Sequence, residues 1–149
     1  MTVDAPAQLP RVLVCEDGDE YTERFTRLLG RRFHFQRAGS YAEARDALAQ
    51  GGLTALVLVL DFRRTPPGEL LDASLRLGPG PSEAPRLAAD QGILILRALR
   101  VNGVHVPALL CADLDDPARE CLLCAELGPL QIVPSSESLA ELAARLPAS

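Results

Sequence analysis

The chain has 149 residues, 48% of them hydrophobic and only 4% aromatic, with no tryptophan and a formal net charge of −5. That length holds one ordinary domain with a core of Leu, Val and Ala, and the mixed composition argues against disorder. All 15 basic residues are arginine; with no basic stripe and no apolar run of about 18 residues, nucleic-acid and membrane partners are not expected.

The opening "MTVDAPAQLP" lacks a signal sequence, so residues 1–10 read as a flexible tail and the chain as cytoplasmic, its four cysteines as thiols. "RVLVCED", Arg11 to Asp17, is a short strand. "DEYTERFTRLLGRR" carries Tyr21, Phe25, Leu28 and Leu29 at helical spacing, and "FHFQRAG" alternates like a second strand. "SYAEARDALAQGG" is a helix with Ser40 as its cap, Glu43 completing a capping box and Gly51 and Gly52 as its stop. "LTALVLVLD" is apolar on both faces, as the centre of a parallel sheet requires. Residues 68–90 exceed the usual connection of ~2–6 residues and read as an insertion, partly loop, in which "GELLDASLRLG" could form a short helix.

A helix, "QGILILRALRVNG", follows, then a buried strand, "VPALLCA". "DPARECLLCAELG" is a helix with Asp116 as cap, Pro117 in its first turn and Gly128 as stop. "LQIVP" is a fifth strand, and "SSESLAELAARL" a closing helix capped by Ser135 or Ser136. The alternation predicts an α/β fold over residues 11–147, a doubly wound five-stranded parallel sheet interrupted by the insertion 68–90. Cys121 and Cys124 form a C-x-x-C within the amphipathic helix. With no second cysteine pair for zinc, burial by helix packing is the favoured reading. Cys15 and Cys111 also read as packing residues, and His34 and His105 as solvent-facing.

Ligands of doubly wound sheets bind beyond the carboxyl ends of the strands. Glu16 and Asp17 close the first strand here, and Asp61 the third. If those strands are neighbours, three carboxylates meet in one pocket whose hard oxygens suit Mg²⁺, and an outward carboxylate beside such an ion is a candidate phosphoryl acceptor. In the alternative, Glu16 caps its helix and Asp61 pairs with an arginine.

The same residues resemble the receiver domain of bacterial two-component response regulators, over roughly Arg11 to Leu146. "VLVCEDG" is similar to the acidic first-strand motif, "LVLVLD" to the strand ending on the phosphoacceptor, "QGILILRALR" to the third helix, "VPALLCA" to the fourth strand and "IVP" to the fifth. The resemblance implies a flavodoxin-like sheet in the order 2-1-3-4-5. It matches Asp61 to the phosphorylated residue, and Glu16 and Asp17 to the metal-binding pair. It also implies a contact face for another signalling protein or a second copy, formed by the family's fourth helix, fifth strand and fifth helix. In this chain that face is "CLLCAEL", "LQIVP" and "LAELAARL".

Two departures bear on mechanism. Val133 stands where the family places a lysine before the fifth-strand proline, and Cys111 where it places a phosphoryl-binding Ser or Thr. Losing the lysine removes a charge-assisted hydrogen bond of about 1.5–3 kcal/mol, and a thiol is a weak donor. Arg63 and Arg64 follow Asp61 at once. One guanidinium is expected to turn inward on Asp61 or Glu16, with Arg63 favoured if the loop alternates like a strand; otherwise both face solvent.

These residues describe a degenerate, stand-alone pseudo-receiver that acts through its surface and is no enzyme. Mg²⁺ at Glu16, Asp17 and Asp61 is then weak or absent, and no cofactor is required. The competing readings are a phosphate-accepting receiver using Asp61 and Mg²⁺, and a small flavodoxin-like enzyme or cofactor binder with the insertion as a lid over the acidic pocket.

Overall fold

The computed structural model describes residues 9–146. The expected tail 1–10 lies almost wholly outside the described residues, as does residue 147 at the expected domain end. Strands β1 (Arg11–Cys15), β2 (His34–Ala38), β3 (Leu53–Val59), β4 (Ala108–Cys111) and β5 (Leu130–Val133) form one sheet in the order β2-β1-β3-β4-β5, every neighbouring pair parallel. The helices are α1 (Glu20–Leu29), α2 (Tyr41–Ala49), α3 (Ala84–Ala89), α4 (Gln91–Val101), α5 (Pro117–Leu127) and α6 (Leu139–Arg145). Among the described residues no helix is long and apolar enough to cross a membrane.

Alternation along each strand divides the core into two layers. Val12, Val14, Ala55, Val57 and Leu109 pack with Phe25 and Leu29 of α1 and with Leu142 and Ala143 of α6. Leu13, Cys15, Leu56, Leu58 and Leu110 face the other way, onto α2, α4 and α5. Tyr21, Phe25, Phe33 and Phe35 gather under α1, where the Phe25 and Phe35 rings stack 5.2 Å apart.

Local signals explain most boundaries. The Ser40 hydroxyl accepts from Glu43 N (3.3 Å) while the Glu43 carboxylate accepts from Gly39 N (2.9 Å), and Asp116 accepts from the amides of Ala118 and Arg119. The last helix begins later than expected: Ser138, not Ser135 or Ser136, is its cap, accepting from Glu141 N.

The insertion departs furthest from expectation. "GELLDASLRLG" is not a helix but a 3-10 turn, Pro67–Glu69, followed by an antiparallel bridge between Leu71 and Leu77. The Asp72 carboxylate accepts from Ser74 N (2.8 Å) and Arg76 N (3.0 Å), competing with a helix for those amides. Leu75 is held at φ 64°, in the left-handed region. The second half, expected as loop, contains α3, with Pro85 in its first turn where a missing N–H costs nothing.

Nine of the eleven residues of α4 are buried, more than the sheet-facing stripe of a surface helix. Leu70, Leu71, Leu87 and Ala88 of the insertion join its apolar cluster. The buried Gln91 amide pins the two together: its oxygen accepts from Leu71 N (2.7 Å), and its nitrogen donates to Leu71 O (3.1 Å) and Leu87 O (3.3 Å). Arg100 closes the other end of α4. Its buried guanidinium donates to the carbonyls of Val104, Val106, Leu127 and Pro129 at 2.8–3.0 Å.

Candidate functional site

Because β1 and β3 are neighbours, the acids at their ends meet. A cleft of about 320 Å³ opens there, lined by Glu16, Asp17, Glu20, Tyr21 and Arg64 on one side and Cys111, Ala112, Asp113 and Ser135 on the other, with Val59, Leu60 and Asp61 between. Close approach of α4 shapes the floor. Gly92 N donates to Leu60 O at 3.0 Å, and a Cβ at position 92 would run into the Val59 carbonyl. Only glycine lets the helix start so near the strand end.

Each carboxylate of the β1–β3 wall already has partners. Glu16, 2% exposed, accepts from Tyr21 N (3.1 Å), Thr22 N (2.7 Å) and Thr22 Oγ1 (2.7 Å). It thereby caps α1, whose nominal cap residue Asp19 makes no side-chain hydrogen bond. Asp17 accepts from Arg64 N (2.8 Å) and Arg64 Nη2 (3.1 Å), and the same guanidinium reaches Glu20 at 2.9 Å. Arg64 holds the Glu20 carboxyl down at about 2, while Glu20 and Asp17 raise the guanidinium above its ordinary value. Arg37 adds a second guanidinium, donating to the Gly18 and Asp17 carbonyls.

Asp61 lies two residues beyond β3, accepting from Arg63 N (2.9 Å) and Arg63 Nε (2.6 Å). The favoured pairing of Arg63 with Asp61 is therefore present, and Arg64 is paired as well, with Asp17 and Glu20. The one lining the cleft is Arg64, not the favoured Arg63, whose side chain is 77% exposed. The physical reason is that strand geometry has ended. Phe62 is buried in the core and the Thr65 hydroxyl donates to Gly39 O (2.8 Å), so a turn between these anchors carries both arginines.

The β4–β5 wall differs in kind. Cys111 and Cys15 are buried, and burial pushes both thiols up to about 12. Val133, in the lysine position, is 1% exposed and belongs to the α1–α6 apolar layer, not to the cleft. The rim is closed by Asp113, whose carboxylate accepts from Ser135 N (3.1 Å) and from the Ser135 hydroxyl, holding its carboxyl below the usual range.

Among the described residues no group of three or more His, Cys, Asp or Glu side chains is arranged to hold a metal ion. Glu16 turns its oxygens to the α1 amides, and Asp17 and Asp61 each accept from an arginine. As arranged, this donor set does not present three free carboxylates to Mg²⁺. The lid is corrected, since no residue of 68–90 lines the cleft. His34 and His105 are exposed, but so is Cys121, against the expectation of burial, while Cys124 is half-buried.

Glu20, Arg37, Gly92, Asp113 and Ser135 were not among the residues expected here. Asp113 and Ser135 had a usable signal, because both follow the carboxyl ends of predicted strands, where the switch-point rule already looked.

Neither a family model nor a curated protein matches the chain. Solved structures do match in fold. The receiver domain of Francisella response regulator 1452 superposes with a TM-score of 0.65 at 15% identity, over 91% of this chain and 92% of that one. A response regulator receiver domain protein from Clostridium thermocellum gives 0.63 at 14%, over 91% and 90%. The BeF3-activated N-terminal receiver domain of Klebsiella pneumoniae RstA gives 0.60 at 16%, over 91% and 93%. The chain has the receiver fold, a flavodoxin-like sheet in the order 2-1-3-4-5.

Proposed function

We propose that this chain is a cytoplasmic, non-enzymatic signalling domain of the receiver type, in which arginines occupy the acids and the phosphoryl switch is silent. The observation that carries this reading is the bridge from Arg64 to Asp17 and Glu20 (3.1 and 2.9 Å), on a cleft whose lysine position holds the buried Val133.

Magnitudes rank the causes. The Asp61–Arg63 pair is short but exposed, and such pairs contribute about 0–1 kcal/mol, too little to block chemistry at Asp61 alone. Arg64 matters more, because a cation entering the site must displace it from Asp17, whose side chain is only 8% exposed. An aspartyl phosphate at Asp61 would then bring close to two negative charges among the four other carboxylates of the cleft, with no lysine in the chain and a neutral thiol at Cys111. Output through contact is assigned to the face of α5, β5 and α6, with another signalling protein or a second copy as the partner.

One observation favours the phosphate-accepting alternative: the Asp61 side chain is 39% exposed at the cleft rim and within reach of a donor. Intact-mass measurement after incubation with a small phosphodonor and Mg²⁺ separates the two. No gain of mass is expected. A stoichiometric phosphate, lost in Asp61→Asn, overturns the silent reading.

A further inference from the structure

Helix α5 is held to the sheet by Leu123 and Leu127, its two buried residues. Its opposite side carries Ala118, Cys121, Leu122 and Ala125, all exposed, with Leu122 at 71%. Their three-and-four spacing places them on one helical face, so an apolar stripe with a thiol at its centre faces outward. Cys124, one turn beyond Cys121, lies on the flank toward the edge strand. It lines a cavity of about 330 Å³ with Pro129, Leu130 and Gln131. The two thiols are close enough that Cys121 contributes to raising Cys124, after burial.

One chain offers this pair and nothing more, since no third ligand is arranged with it among the described residues. Zinc in a closed structural site takes four ligands at tetrahedral corners, and C-x-x-C is a common spacing for two of them. A two-fold axis presents the same patch from both copies, so the missing pair is available from an identical chain. Exposure of Cys121 is what permits this.

We propose that Cys121 and Cys124 of two copies form a four-thiolate zinc site that bridges a symmetric dimer through α5. The inference rests on the reading of the α5–β5–α6 side as the contact face, and it names the occupant of that face. The step balances without an oxidant: one Zn²⁺ replaces four thiol protons, which pass to buffer. The apolar stripe of each α5 supplies the contact around the ion.

The full chain, treated with chelator and kept in a phosphine reductant, is measured by light scattering and metal analysis with and without added zinc. The expected result is a doubling of mass with one zinc per two chains, and X-ray absorption reporting four sulfur neighbours at about 2.3 Å. Cys121→Ser and Cys124→Ser should each remain monomeric in zinc, while Cys121→Ser, altered at an exposed position, keeps the wild-type melting curve. Binding of one zinc per chain without dimerisation means an adventitious ion only and overturns the proposal. So does a monomer that takes up no zinc, or a dimer that survives Cys121→Ser. That last result leaves the contact face standing, and the phosphodonor measurement tests the silent switch independently.

Discussion

The two walls of the cleft are built in opposite ways. On the β1–β3 wall the acids are present and over-supplied with partners: Glu16 faces three donors of α1, and Asp17 and Asp61 accept both a backbone N–H and a guanidinium N–H. On the β4–β5 side stand a buried thiol, a buried valine and an Asp113–Ser135 hydrogen-bonded pair. Acids at strand ends can hold loops together by accepting from amides and guanidinium groups. Charge on one wall is bound up in structure.

Substitutions can break that contrast. The largest effect is expected from Gly92→Val, which drives a side chain into the Val59 carbonyl beneath both walls. Overpacking against backbone should cost about 3 kcal/mol in urea unfolding; a loss below about 1 kcal/mol would mean that α4 does not fix the β3 corner. Next is Glu16→Ala, which removes the acceptor for the first turn of α1 and should cost about 1–2 kcal/mol, as lost helix caps do. If Glu16 were instead a free metal ligand, removing it would leave apo stability unchanged or raised.

The smallest effects come from the arginines, and they sharpen the contrast most. Arg64→Ala and Arg63→Ala should each shift stability by less than about 1 kcal/mol at neutral pH. Only Arg64→Ala should tighten Mg²⁺ binding, followed by calorimetry, because only Arg64 stands on Asp17. The acid limb gives a second readout. A carboxyl held at about 2, against its ordinary 4.5, contributes stability that is present above the ordinary value and lost as pH falls through the lower one. Wild type should therefore lose more stability between those limits than Arg64→Ala. Parallel pH profiles would show that Arg64 does not hold Glu20 in solution.

Much of the fold was legible because its signals are local or periodic. Apolar runs at β3 and β4, the capping box at Ser40, and Asp116 with Pro117 each declare an element within a few residues. The acid cluster was legible for a related reason: strand ends are local, and strand neighbours follow from the parallel topology. Pairing within the cluster was not. Arg64 and Glu20 are 44 residues apart, and no period relates them. The insertion failed for a different reason. Apolar content suggested a helix, but the Asp72 carboxylate captures the amides and Leu75 adopts a left-handed turn. Cys121 was misplaced because Leu122 stands directly beside Leu123 and of the two only Leu123 is buried, so composition alone does not choose the buried side.

The insertion carries one consequence for how anything can approach this protein. By roofing α4 with its own chain, the fold removes that side from molecular recognition and stiffens the corner beneath Asp61. The flanks keep exposed apolar side chains, Leu28 on α1 and Leu122 on α5. The detour that looked like a cover for the chemistry covers a helix instead.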